Sequence, residues 1–103
     1  MFFENRSDLN SPMDHFIQRD DLNEDERSVL DVYLTGVSHA LTGLNTVQTS
    51  NNRNPLFTLT DGHTLDTADL ETIIGEYLKQ RLDMKAQPLG LCAVMAVMQR
   101  FEA

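Results

Sequence analysis

The chain is poor in the residues that usually announce a role. It has one cysteine, three prolines, no tryptophan and only 8 Lys and Arg among 103 residues. A lone Cys92 excludes an internal disulfide and suits a reducing compartment, or a secreted fold that dispenses with bridges. No apolar run approaches the roughly 18 residues that span a bilayer, so a membrane is not an expected partner. The opening "MFFENRS" lacks the basic and long apolar regions of a secretory signal. The expected location is therefore cytoplasmic as written, or periplasmic if a signal had been removed. Against these few bases stand 16 Asp and Glu, for a net charge of −8. Residues 1–50 hold nine acids against three bases, and residues 51–103 seven against five. Such a surface repels phosphate, which argues against nucleic acid as a partner. It suits a basic protein, or serves only to keep a small domain soluble.

What is present is helical periodicity. Residues 1–103 form one domain, with 1–10 expected to be flexible, and helices expected over 11–20, 23–47, 66–82 and 88–101. Ser11 caps the first, with Pro12 at its first helical position and Asp14 near the positive end of the dipole. Asn23 caps the second, followed by Glu24, Asp25 and Glu26. Its Leu30, Tyr33, Leu34, Val37, Leu41 and Leu44 fall on one stripe. Asp66 or Thr67 caps the third, which carries Leu70, Ile73, Ile74, Tyr77, Leu78 and Leu82 on one face. The fourth, "PLGLCAVMAVMQRF", is apolar nearly all round. It is either central in the fold or packs one side on another subunit, which makes a homodimer through this helix one option. The expected fold is all-α: a compact bundle of about four helices with one long loop, 48–64, between the second and third. Loops beyond about 12–15 residues in compact domains are usually functional or disordered.

Catalytic and metal chemistry find little support. His15, His39 and His63 have no helical i, i+4 spacing, and the stretch "DGHTLDTAD" fails the calcium-loop pattern, so neither a metal nor a cofactor is expected. His39 lies about 180° around its helix from Leu30 and faces water. Cys92 sits in "LGLCAVM", where apolar neighbours raise a thiol pKa. The carboxylates at Asp20, Asp21, Glu24, Asp25 and Glu26 lie at a helix start with no sign of burial, and no enzyme activity is expected. Glycine in a helix costs about 1 kcal/mol relative to alanine. Gly36 therefore reads as a point of close packing beside Tyr33 and Val37, and Gly75 and Gly90 as similar points on the later helices.

The order "VYLTGVSHAL", loop, "TLDTADLETIIGEYLKQ", "LCAVMAVMQRF" resembles the Rap/Tai family of immunity proteins against peptidoglycan amidases delivered by type VI secretion. Tyr33, Leu34, Gly36 and Val37 match its aromatic-aliphatic-x-Gly-Val element. Thr64, Leu65, Leu70, Ile73, Ile74, Tyr77 and Leu78 match the second element, and Val94, Ala96, Val97 and Phe101 the third. The similarity spans about residues 29–101, and the chain lacks the cysteines and the signal peptide usual in that family. The resemblance implies a small helical inhibitor that places a loop in the active-site cleft of a cell-wall amidase or another enzyme. Asn51, Asn52, Arg53, Asn54, Leu56 and Phe57 are then the expected contacts in the long loop, with Asp83, Met84 and Lys85 in the shorter turn "RLDMKAQ" as the rival. The alternative is an acidic decoy or adaptor, a nucleic-acid mimic of phage or plasmid type that binds a basic protein.

Overall fold

A computed structural model describes residues 9–59 and 65–102. The expected flexible start at 1–10 and the third histidine, His63, fall largely or wholly outside these residues. Among the described residues the chain forms four α-helices and no strand, the all-α architecture expected. They are α1 (Pro12–Ile17), α2 (Glu24–Ser50), α3 (Thr67–Gln80) and α4 (Leu89–Arg100). Short 3-10 turns occupy Arg19–Asp21 and Leu82–Ala86.

The helix starts form where the caps direct them. The Ser11 hydroxyl accepts from the Asp14 amide at 3.2 Å. Asn23 and Glu26 make a reciprocal capping box: Asn23 Oδ1 accepts from the Glu26 amide at 2.8 Å, and Glu26 Oε1 accepts from the Asn23 amide at 2.9 Å. Asp66, rather than Thr67, caps α3 through the Asp69 amide at 2.8 Å. Two boundaries differ usefully from expectation. α1 stops at Ile17 and tightens into the 3-10 turn, and α2 continues three residues beyond 47 to absorb the first part of the expected loop.

α2 is the spine. At 27 residues it is about 40 Å long. Leu30, Leu34 and Leu41 are buried, and Tyr33 and Val37 pack at the edge of the same core. α3 begins beside Ser38, whose hydroxyl donates to the Leu65 carbonyl, and runs back towards the start of α2, where Glu71 meets Arg27. Glu71 also faces Arg19 at 3.7 Å, so one carboxylate ties α3 to α2 and to the segment after α1. The Arg19 guanidinium lies over the Phe16 ring at 4.5 Å and donates to the Phe16 carbonyl at 3.0 Å. Met13 and Phe16 carry α1 into the core, which Leu70, Ile74, Leu78, Leu89, Cys92, Ala93 and Val97 complete.

The apolar stripes fail at Leu44 in α2 and at Leu82, which lies beyond the end of α3 at Gln80 and is 63% exposed, and the glycine reading fails at Gly36. Leu44 is 50% exposed, because the packed face continues through Ser38, Leu41 and Asn45 instead. A methyl group at Gly36 or Gly43 would meet nothing within 4 Å, so Gly36 is not a close-packing point within the chain. At Gly75 the neighbour is the Arg19 guanidinium at 3.0 Å, from the turn after α1, whereas at Gly90 it is the Tyr33 hydroxyl of α2 at 3.1 Å, so Gly90 does lie where another helix packs close.

Because Phe16 is fully buried and is the larger of the two side chains fixing α1, Phe16→Ala should lower stability by about 3–5 kcal/mol. Thermal unfolding followed by circular dichroism measures this; a loss below about 1 kcal/mol would show that α1 is not integral to the core.

Candidate functional site

The segment after α2 is held more firmly than its composition suggests. α2 ends in a Schellman-type cap: the Asn52 amide donates to the Thr49 carbonyl at 3.1 Å and the Arg53 amide to the Gln48 carbonyl at 2.9 Å. This geometry needs a left-handed residue at Asn52, whose φ is 59°, and asparagine tolerates that region better than other side-chain-bearing residues. The chain then turns back. Asn45, one turn and a half before the helix end, reaches out to meet it. Its Oδ1 accepts from the Leu56 amide at 2.7 Å and the Phe57 amide at 3.3 Å, and its Nδ2 donates to the Phe57 carbonyl at 2.8 Å. The Thr58 amide donates to the Phe101 carbonyl at 2.9 Å, which fastens the same strip to the end of α4.

The result divides the expected loop contacts into two groups. Asn51, Asn52, Arg53 and Asn54 are exposed and form the tip. Leu56 is half-buried against the core, and Phe57 is 1% exposed. Phe57 was expected as an apolar anchor for a partner; in the fold it anchors the loop to its own body. A ring at this position finds more apolar area in the core than a solvent-facing loop offers.

The rival turn is similarly rearranged. Leu82–Ala86 is a 3-10 turn with Met84 buried, so Met84 too is a core contact and not a presented one. Asp83 and Lys85 remain exposed. Arg81 donates to both Asp83 oxygens at 3.1 and 3.0 Å, which holds the Asp83 carboxyl below its usual range. Lys85 borders a depression with Ile17, Arg19, Gly75 and Leu82 beside α1. The turn is thus supported by α1 and α3, whereas the tip at 51–54 is supported by α2 and α4. The fold does not merge them into one site.

The other sequence candidates stand apart from both. His39 is exposed on α2, and the His15 ring nitrogen Nδ1 lies 3.1 Å from the Ser11 carbonyl. Cys92 is fully buried, and desolvation pushes its thiol up, away from the thiolate form that nucleophilic chemistry requires. Among the described residues no group of three or more His, Cys, Asp or Glu is placed to hold a metal ion. No helix there is long and apolar enough to cross a membrane. Comparison with known proteins finds no matching family model, no similar curated protein and no similar solved structure. The Rap/Tai resemblance accordingly rests on residue spacing alone.

Asn45 and Ser38 were absent from the expected site, yet they do the positioning. The signal was present: both are polar residues interrupting the apolar side of α2, and a polar group facing a core requires a partner. Asn45→Ala leaves the Leu56 and Phe57 amides without that partner and should lower stability by about 1–3 kcal/mol, read from urea unfolding. At the tip, Asn52→Gly should preserve stability, because glycine accepts the left-handed backbone, while Asn52→Ala should lose about 1 kcal/mol. Equal stability of these two Asn52 variants would contradict the cap geometry.

Proposed function

We propose that the chain is a non-enzymatic binding protein of immunity type, an inhibitor that presents the tip at Asn51–Asn54 to the active-site cleft of an enzyme. The observation that carries this reading is the fastening of an exposed polar tip on a rigid helix end by Asn45 and by the cap at Asn52 and Arg53. A loop already held in one conformation loses little entropy on docking, which is what a stoichiometric inhibitor requires. The tip offers three amide side chains and one guanidinium, groups that donate and accept hydrogen bonds around a cleft. The resemblance to Rap/Tai proteins suggests a peptidoglycan amidase as the enzyme, and so a cell-wall setting for the complex. Leu56 and Phe57 support the tip from behind. Asp83 and Lys85 are available as a second, separate contact.

One observation favours a second reading, the acidic decoy. Asp20, Asp21, Glu24 and Asp25 are all exposed within a short span at the entry to α2. A basic protein would meet concentrated negative charge there, as it does on nucleic acid.

Affinity capture with the full chain, followed by inhibition assays on the retained enzyme, tests both readings. The tip reading predicts that Asn52→Gly combined with Arg53→Ala weakens inhibition by about tenfold or more, with unfolding unchanged. It also predicts only slight weakening between low and moderate salt. Binding that is insensitive to the tip and collapses with added salt would overturn it in favour of the decoy.

A further inference from the structure

Three of the chain's eight bases border one shallow depression, and among the described residues no carboxylate lines it. Arg19 stands in the turn after α1, Lys79 in the last turn of α3 and Lys85 in the 3-10 turn that follows. In a chain with twice as many acids as bases, this is a local reversal of sign. The two lysines are also uncommitted. Both are exposed and make no ion pair among the described residues, although Glu76 and Asp83 lie close to them in sequence. Asp83 is taken by Arg81, and Glu71 divides its charge between Arg27 and Arg19.

Arg19 is held in place. Its Nη1 donates to the Phe16 carbonyl at 3.0 Å, its guanidinium lies over the Phe16 ring at 4.5 Å, and its Nε is 3.7 Å from Glu71 Oε2. That leaves Nη2 turned towards α3 at Gly75. A Cβ at this position would come within 3.0 Å of Nη2, so the glycine keeps room for the guanidinium and leaves the floor of the depression open. Ile17 and Leu82, 40% and 63% exposed, give the same depression an apolar border.

We propose that this depression is a docking site for an acidic peptide segment of a partner protein, one that sets carboxylates beside a large apolar side chain. The lining fits both halves of that chemistry. Lys79, Lys85 and Nη2 of Arg19 reach the site from three elements to meet carboxylates, and Ile17 and Leu82 offer the apolar side chain a surface to cover. Charge fixes the register. Glu71 and Glu76 border the continuation of the depression across Gly75, so the carboxylates belong on the Lys79 and Lys85 side. A peptide also fits better than a nucleic acid. A strand carries phosphates beyond the depression, over the exposed Asp20, Asp21 and Glu76, and the lining holds no aromatic ring on which a base could stack.

The site lies apart from the Asn51–Asn54 tip and stands independently of what that tip binds. Backbone amide NMR of the full chain, titrated with an end-capped six-residue peptide of alternating glutamate and leucine, tests it. The amides of Gly75, Lys79, Leu82 and Lys85 should shift together and saturate, and a matched lysine–leucine peptide should leave them in place. Lys79→Ala combined with Lys85→Ala should weaken binding by about tenfold or more, and Leu82→Ser by about threefold or more, with helical circular dichroism unchanged. Absence of a saturable shift at millimolar peptide overturns the proposal, as does binding that survives the double lysine variant. Undiminished binding by Leu82→Ser overturns it too, since charge alone then suffices. Movement of the same amides on concentrating the chain alone assigns the face to a second copy, and tighter binding of a single-stranded oligonucleotide of equal charge assigns it to nucleic acid; either result overturns the proposal.

Discussion

On the packed side of α2, Asn45 does for the returning chain what a neighbouring strand would do in a sheet. It accepts from two backbone amides and donates to one carbonyl, over Leu56 and Phe57. Ser38, two helical turns earlier, donates to the Leu65 carbonyl in the same way. A connection between helices that buries backbone must satisfy its polar groups, and this fold satisfies them from one helix. Once those points are tied, Phe57 and Leu65 can enter the core, α3 can begin beside α2, and the exposed residues between the helix end and Leu56 have nowhere to wander. The presentation of Asn51–Asn54 is therefore a consequence of core formation and not a separate device.

The same helix is unequally used. Its inner side carries three leucines and the two tying residues, while its outer side carries valines, small residues and no charge over most of its length. Helix formation gains nothing from glycine there, and no neighbour within the chain requires it. Five of the sixteen acids, Asp20, Asp21, Glu24, Asp25 and Glu26, gather at the start of α2 and in the turn before it. There they complement the helix dipole and the capping box and leave the long middle of the helix neutral. Charge and apolar surface are thus kept at separate places on one element.

Much of this was legible in the sequence because it is local. Caps at Ser11, Asn23 and Asp66, the apolar positions of α3 from Leu70 to Leu78 and the burial of Cys92 follow from spacing and chemistry within one turn or two. What was not legible depends on segments far apart in the chain. Leu44 fits a helical stripe as well as Leu41 does, and only the return of residues 56–58 decides that Asn45 faces inward instead. Phe57 and Met84 sit in segments without helical period, so periodicity gives no reason to bury them; their partners come from other elements. Gly36 was misjudged for the opposite reason. Helix packing was the natural account of a glycine, but no part of the described chain approaches it. Asn51, Asn52, Arg53 and Asn54, by contrast, are exposed, since asparagine-rich turns face water in nearly any fold.

The central claim is that the strip after α2 is fixed and not a free loop. Amide hydrogen exchange resolved by residue tests it most directly. If Asn45 and Phe101 hold the strip, the amides of Leu56, Phe57 and Thr58 will exchange about as slowly as the core amides of α2, opening only when the domain unfolds. Exchange of those three amides at unprotected rates, with α2 still protected, would contradict the account.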